Sequence, residues 1–158
     1  MMKKKIVVLG SLNTDFVADV SRLPVEGESM LANGFGIVPG GKGANQAIGA
    51  AKLGREVVIL GKTGNDYDSN VVYDTFKKEH VLTHGLRRDS RSLTGKAYLH
   101  VLKDAESTIT ILPGANLHLL PEDILSREHL FKGCGYCLIS TEIPEETVIQ
   151  ALKTAKKH

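Results

Sequence analysis

"PGGKGANQAIGAAKLG", residues 39–54, joins a glycine-rich turn to an alanine-rich segment. The residues from Gly43 to Leu53 predict a helix, which Gly54 ends. A glycine-rich turn before a helix is typical of phosphate-binding loops, because the first amides of a helix face an anion placed there. The spacing of the residues in this turn therefore decides which kind of ligand it suits.

Short apolar runs and helical patterns alternate along the rest of the chain. Three apolar runs predict buried strands: residues 4–10, 55–61 and 135–141. Further helices are predicted at residues 66–81, at residues 119–131 and in a last segment with Pro144 at its first helical position. This alternation predicts an α/β doubly wound fold, a Rossmann-like and mostly parallel sheet that helices cover on both faces.

The pattern changes between about residues 92 and 112, where two β-rich runs flank the polar stretch "KDAE". This arrangement predicts an inserted β-hairpin. Side chains alternate between the two faces of a strand, so Ala97, Leu99 and Val101 share one face of the first hairpin strand.

Composition limits the function classes. The chain has 158 residues, which suits one domain, with 42% hydrophobic and 24% charged residues. The formal net charge is only +2 and no apolar run approaches the length of a membrane span, so we expect neither a nucleic-acid nor a membrane partner. The start "MMKKKIVVLG" has too short an apolar stretch for a signal peptide, and we expect a cytoplasmic protein.

The glycine turn does not match either common nucleotide motif. "GGKGANQ" lacks the spacing of a Walker A loop, and in "LGKTG" the required first glycine falls on Glu56. The dinucleotide pattern read from Gly41 would place its third glycine at Gln46. The turn is therefore not predicted to bind a nucleotide phosphate.

Redox, metal and hydrolase chemistry find little support. Cys134 and Cys137 form a C-x-x-C pair, but a strand-like "LIS" follows them, whereas a redox pair opens a helix. The six histidines show no H-E-x-x-H spacing, and no G-x-S-x-G elbow occurs. We predict no metal site and no catalytic nucleophile in this chain.

Polar residues follow all three predicted strands, where ligands of open α/β sheets bind. Asn13 and Asp15 follow the first strand, Thr63 and Asp66 the second, and Glu142 the third. Asn, Asp and Thr are also ordinary turn and helix-capping residues, and that alternative stays open for each of them, most strongly for Asp66.

Lys42 and Asn45 add polar groups at the predicted start of the first helix. Carboxylates accept hydrogen bonds from neighbouring hydroxyls, and amides both donate and accept. Together with Asn13, Asp15 and Glu142, these groups favour a polyhydroxylated ligand, a sugar.

The stretches "VVLGSLNTD", "GGKGANQA", "GKTGND", "PGAN" and "LISTE" resemble, in this order, the ribokinase family of phosphofructokinase-B type carbohydrate kinases. The resemblance covers essentially the whole chain, residues 1–158, as the N-terminal part of one kinase domain. It implies lid elements at about 11–40 and 92–112. It also implies ATP-dependent phosphorylation of D-ribose to ribose 5-phosphate, with Mg²⁺ and a monovalent cation, K⁺.

The resemblance also implies roles for particular residues. Sugar-binding residues of the family correspond to Asn13, Asp15, Gly40, Gly41, Lys42, Asn45 and Glu142. Lid residues that cover the apolar side of the sugar correspond to Ala97, Leu99 and Ile109. The opening turn is thus expected to hold the phosphoryl acceptor.

Members of the family are about twice this length, and their second half carries a Gly-Ala-Gly-Asp motif that this sequence lacks. That motif supplies the base and the anion hole for phosphoryl transfer. We therefore expect an N-terminal half with no catalytic residue of its own and no nucleotide or cation site, inactive alone. The alternatives are a non-catalytic sugar-binding module, or a kinase for fructose, a nucleoside or a keto-deoxy sugar acid.

Three core strands would leave an unpaired sheet edge and an uncovered apolar face. We therefore expect a homo-oligomer. Pairing through the lids, as in dimers of the family, is one route.

Overall fold

The structure, a computed structural model, describes residues 5–104 and 106–158. The eight strands found in these residues are β1 (Lys5–Leu9), β2 (Asn13–Asp19), β3 (Gly34–Gly40), β4 (Val57–Gly64), β5 (Leu82–Asp89), β6 (Gly95–Val101), β7 (Ser107–Leu112) and β8 (Cys134–Ile139). The α-helices are α1 (Lys42–Lys52), α2 (Tyr67–Lys78), α3 (Pro121–Leu125) and α4 (Glu145–Lys157), with 3-10 helices at Gly114–His118 and Glu128–Phe131.

Four strands form a parallel sheet in the order β5-β4-β1-β8, with every neighbouring pair parallel. The central strands β1 and β4 each contain a continuous apolar run, at residues 6–9 and 57–60, which suits strands buried on both faces. Val8 and Ile59 pack against Phe76 of α2 on one face, whereas Val7 and Val58 pack with apolar residues near α3 and α4 on the other. The predicted doubly wound sheet is confirmed.

The remaining four strands form a mixed sheet in the order β3-β2-β6-β7. β6 and β7 are the predicted hairpin, and they pair antiparallel with Ala97 opposite Ile111 and Leu99 opposite Ile109. β2 runs parallel to β6 and antiparallel to β3. Asn13 and Asp15 follow β1, as predicted, and lie in β2.

Two predicted elements differ from the structure. The single helix predicted over 119–131 is the short α3 followed by a 3-10 helix, because Arg127 leaves the helical conformation at φ −124°, ψ 17°. The strand predicted over 135–141 as buried is β8, which starts at Cys134 and has exposed side chains at Tyr136 (63% exposed) and Leu138. β8 lies at the edge of the parallel sheet and has one neighbour, which explains its exposure.

Pro144 also differs slightly from its prediction, since it is the N-cap residue of α4 and Glu145 is the first helical residue. Glu145 and Glu146 occupy the first turn and Lys156 and Lys157 the last, which complements the helix dipole. With 13 residues α4 is the longest helix, and no helix of the described residues has the length and apolar character needed to cross a membrane.

Candidate functional site

The predicted site residues meet where the two sheets join. β1 ends at Leu9, and a turn of three residues leads into β2 of the mixed sheet. α1 begins beside this turn: its Ala44 N–H donates to the Ser11 carbonyl at 3.2 Å. The carboxyl end of β1 thus brings the start of α1 and the start of β2 together, as the strand-end rule predicts.

The glycine turn before α1 packs against the protein's own backbone. Gly41 has a φ of +87°, a conformation that side chains with a Cβ rarely adopt. A Cβ at Gly43 would lie 2.6 Å from the Gly10 carbonyl carbon, so only glycine lets α1 approach β1 this closely. The Lys42 N–H donates to Ser11 Oγ at 2.9 Å, which occupies one amide that a phosphate would otherwise use.

Glu142 forms the polar centre of this junction. Its Oε2 accepts from Ser11 Oγ at 2.6 Å, and its Oε1 pairs with Lys42 Nζ. Burial alone raises the pKa of Glu142, but the hydrogen bonds from Lys42 and Ser11 outweigh burial and hold the pKa below its ordinary value. Glu142 is therefore an ionised acceptor at neutral pH.

Asp15 has a different environment. Its Oδ1 is buried and has no hydrogen-bond partner among the described residues. Burial, and after it the charge of Glu142, raises the pKa of Asp15 above its ordinary value. Gly40, opposite Asn13 in the sheet, packs behind this carboxylate, where a Cβ would collide with it. An unpartnered acceptor of this kind indicates a place for a ligand donor.

Asn13 is buried and holds a partner from a distant part of the chain. Its Oδ1 accepts from Asn116 Nδ2 at 2.9 Å, and Asn116 also bonds both backbone groups of Leu12. These hydrogen bonds link the start of β2 to the 3-10 helix Gly114–His118.

These side chains line one cleft of about 160 Å³, which we name the junction cleft. Its polar side consists of residues from β2, from the start of α1 and from the loop after β8, and its apolar side of residues from β6 and β7. The lining residues are Asn13, Asp15, Gly41, Lys42, Asn45, Glu142, Ala97, Leu99, Ile109 and Ile111. The structure thus brings every predicted site and lid residue to this cleft, except that Gly40 lies behind Asp15.

The second pair of strand-end residues has a structural role. Asp66 is the N-cap of α2, where its Oδ1 accepts from Ser69 N–H at 3.2 Å. Asp66 also accepts from the Thr94 N–H at 2.9 Å and from the Thr94 hydroxyl at 2.5 Å, which ties α2 to the start of β6. Thr63 is buried in β4. The capping alternative therefore holds for Asp66.

Three residues of the site were not predicted: Ser11, Asn116 and Ile111. Ser11 precedes Asn13 by two residues, and Ile111 follows Ile109 by two residues and so shares its face of β7. Asn116 belongs to the "PGAN" string, which contributes to the family resemblance but predicts no contact for this side chain. The alternation was a usable signal for Ile111, whereas the partnership of Asn116 with Leu12 spans more than 100 residues and leaves no local pattern.

Metal ions do not fit the described residues. Over residues 5–104 and 106–158, no three His, Cys, Asp or Glu side chains lie close enough together to hold one. The carboxylate of Glu142 is already occupied by Lys42 and Ser11. The chemistry of the cleft is that of hydrogen-bond donors and acceptors facing an apolar wall.

Comparison with known proteins identifies the family. Residues 3–158 match the pfkB family carbohydrate kinases. The chain belongs to this family. It is 35% identical over 155 residues to the ribokinase of Bacillus subtilis, covering 98% of this chain and 53% of that one. It is also 35% identical over 153 residues to the deoxyribokinase of Salmonella typhi, covering 97% and 50%.

A solved member of the family shares the fold. The structure of Arabidopsis thaliana ribokinase complexed with ribose and ATP matches with a TM-score of 0.86 and 32% identity, over 99% of this chain and 51% of that one. The chain spans about half the length of the curated relatives it matches.

Proposed function

We propose that the junction cleft binds a sugar, D-ribose in the first instance, as the phosphoryl acceptor of a carbohydrate kinase. One observation carries the proposal: the cleft places Asp15, whose Oδ1 has no hydrogen-bond partner among the described residues, beside Asn13, Lys42 and Glu142 and opposite an apolar wall. Sugar sites combine such acceptors and donors for hydroxyls with apolar surface for the C–H face. The relatives named as ribokinases support ribose as the substrate.

The polar residues would supply both acceptors and donors for the hydroxyl groups of the sugar. Asp15 accepts from a sugar hydroxyl, and Lys42 donates, held in place by its ion pair with Glu142. Ala97, Leu99 and Ile109 in the mixed sheet, the predicted lid, would exclude water from the sugar. The roles that the resemblance implies for these residues remain part of the proposal.

The full reaction of the proposal is ATP-dependent phosphorylation of D-ribose to ribose 5-phosphate. The related Arabidopsis thaliana ribokinase, whose structure is complexed with ribose and ATP, supports ATP as the phosphoryl donor. No step is derived through Mg²⁺ or K⁺, since the described residues do not fit a metal ion. The prediction that this 158-residue chain is inactive alone remains to be tested, and steady ATP-dependent ribose phosphorylation would overturn it.

The test of the sugar site is isothermal titration of D-ribose into the purified chain and into Asp15→Ala. We expect saturable heat with the parent chain and none with the variant, because the variant lacks the free acceptor. Asp74→Ala, on an exposed part of α2, is the matched control and should bind like the parent. Equal heats from all three proteins would contradict the assignment of Asp15.

A second candidate substrate is 2-deoxy-D-ribose. It is favoured by the deoxyribokinase of Salmonella typhi, which is as similar to this chain as the ribokinase of Bacillus subtilis. Titration of 2-deoxy-D-ribose alongside D-ribose separates the two candidates. Tighter binding of the deoxy sugar would replace ribose in the proposal and leave the cleft assignment intact.

A homo-oligomer through the mixed sheet is also part of the proposal. Phe16 stacks on Tyr98 at 5.2 Å between ring centroids, and Phe35 (66% exposed) and Ile37 extend this apolar outer face. Such patches on a surface favour association. Light scattering should report more than one copy for the parent chain and fewer for Phe35→Asp, whereas a monomeric parent would overturn the proposal. The expected cytoplasmic location stays a prediction.

A further inference from the structure

Two asparagine side chains, Asn13 and Asn116, meet in the interior beside the junction cleft. Asn13 is 4% exposed and Asn116 is 2% exposed. All three hydrogen bonds of the Asn116 side chain go to Leu12 and Asn13. Buried amides with this many partners adopt one orientation, because each flipped arrangement leaves groups unpaired.

The orientation of Asn116 follows from the backbone of Leu12. The Leu12 N–H can only donate, so the Asn116 atom 2.8 Å from it is the oxygen, Oδ1. The Leu12 carbonyl can only accept, so the Asn116 atom 3.2 Å from it is the nitrogen, Nδ2. The backbone therefore decides which end of this amide faces Asn13.

The orientation of Asn13 follows in turn from that of Asn116. Asn116 presents Nδ2, a donor, at 2.9 Å, and only the oxygen of Asn13 can accept from it. The Nδ2 group of Asn13, with its two N–H donors, is left for the cleft that Asn13 lines.

We propose that Asn116 is a positioning residue that makes Asn13 a hydrogen-bond donor to the bound sugar. The inference rests on the proposed sugar site. Asn13 and Asp15 lie two residues apart on one face of β2, and Asp15 can only accept when ionised. One hydroxyl group can accept from Asn13 and donate to Asp15, whereas an ether or a carbonyl oxygen satisfies only Asn13. The pair thus selects a hydroxyl.

The surroundings of the amide pair hold it in place. A Cβ at Gly95 would collide with both amides, so β6 can pass this point only as glycine. The Ala115 N–H donates to the Leu93 carbonyl at 2.9 Å, and His118 Nδ1 contacts Asp89 Oδ2 at 2.7 Å. The 3-10 helix that carries Asn116 is therefore anchored at one end to the loop before β6 and at the other to the last residue of β5.

The test is a double-mutant cycle on ribose affinity with Asn13→Ala, Asn116→Asp and the double variant. In Asn116→Asp the side chain at position 116 presents carboxylate oxygens to Asn13. The NH2 group of Asn13 should turn toward these oxygens, which leaves the Asn13 oxygen facing the cleft. We expect each single variant to lose about 10-fold or more in affinity, and the double variant to bind no more weakly than Asn13→Ala. Losses that multiply in the double variant would show that Asn116 does not act through Asn13 and would overturn the proposal.

Asn70→Asp is the matched control, because it makes the same chemical change on the exposed part of α2. It should bind ribose like the parent chain. Amide proton–nitrogen spectra of every variant check that it folds. If Asn116→Asp does not fold, Asn13→Asp takes its place, since it keeps the bond from Asn116 and presents oxygen to the cleft. Parent-like affinity in that variant would overturn the proposal.

A measurement without sugar separates this inference from the proposed function. In the parent chain the Hδ2 protons of Asn13 should show nuclear Overhauser contacts to the Ile111 methyl groups across the cleft. Contacts of these Asn13 protons to Gly95 and Asn116, with none to Ile111, would overturn the orientation. If the parent chain binds no sugar, the proposed function fails, and this measurement still decides the orientation of Asn13.

Discussion

The parallel sheet and the mixed sheet each contain four strands, but their residues differ greatly in solvent exposure. In β4 all residues except Lys62 are buried, whereas every residue of β7 is exposed. The parallel sheet has helices on both faces, and the mixed sheet turns one face to the junction cleft. The first therefore supplies the stability of the chain, and the second supplies apolar surface to whatever occupies the cleft.

A small polar junction near the start of α2 joins the two sheets. Thr14 Oγ1 donates to the Asp68 carbonyl at 3.0 Å, and Lys96 pairs with the Asp68 carboxylate. Thr94 is held by Asp66. Substitutions in the two sheets and in this junction should therefore have effects of different size and kind.

The largest effect is expected in the core of the parallel sheet. Phe76 is fully buried in the cluster between α2 and the sheet, and Phe76→Ala should lower the free energy of unfolding by about 3–5 kcal/mol. Val38→Ala, in β3 and 45% exposed, is the control and should change it by less than about 0.5 kcal/mol. Urea unfolding measures both. Similar losses from the two variants would mean that the mixed sheet also has a stabilising core.

The same contrast explains which strands could be predicted. β1 and β4 contain uninterrupted apolar runs at residues 6–9 and 57–60, because both faces are buried there, and both strands were predicted. β3, "GFGIVPG", contains three glycines and a proline and is a strand only because β2 pairs with it. Pairing with residues far along the chain stabilises such strands, and local propensity does not report it.

The site divides in a similar way. Asn13, Asp15 and Glu142 were predicted because a general rule places ligands at the carboxyl ends of parallel strands. Asn116 was not predicted, because an Asn after a Pro-Gly turn is ordinary and its hydrogen bonds to Leu12 form only in the folded chain. Rules based on position find residues that face a cleft, and they do not find the residues that orient them.

Asp15→Asn sharpens the comparison, because it should change binding and stability in opposite directions. Loss of the ionised acceptor should weaken ribose binding by about 10-fold or more. Since the folded protein raises the pKa of Asp15, the ionised form opposes folding at neutral pH, and the variant should be more stable there. Its advantage should shrink as the pH falls through the raised pKa and vanish below about pH 4, the ordinary range.

Titration calorimetry and thermal unfolding between acid and neutral pH measure the two effects of Asp15→Asn. Asp19→Asn, at the exposed end of the same strand, should leave both unchanged. A variant that is less stable than the parent chain at neutral pH would show that the carboxylate of Asp15 has a stabilising partner.

Asp66→Asn should lower the free energy of unfolding by about 1 kcal/mol at neutral pH. Asn keeps an oxygen for the Ser69 N–H and the Thr94 hydroxyl, but its NH2 group faces the Thr94 N–H, which loses its acceptor. Burial alone raises the pKa of Asp66, but hydrogen bonds from Thr94 and Ser69 outweigh burial and lower it. The stability that this carboxylate contributes is thus present above about pH 4 and is lost as the pH falls through the lowered value. Unfolding curves of parent and variant should converge in acid, and a constant difference across this range would contradict the assignment.

The smallest effect is expected from Ile109→Ala in β7. Ile109 is 54% exposed, so its truncation should change the free energy of unfolding by less than about 0.5 kcal/mol. Its side chain faces the junction cleft, and loss of this apolar surface should weaken ribose binding by roughly 2- to 10-fold. Thr108→Ala, on the other face of the same strand, should change neither quantity, because neighbouring residues point to opposite faces. If Ile109→Ala binds ribose like the parent chain, β7 does not cover the sugar, and the mixed sheet contributes only the polar side of the cleft through Asn13 and Asp15.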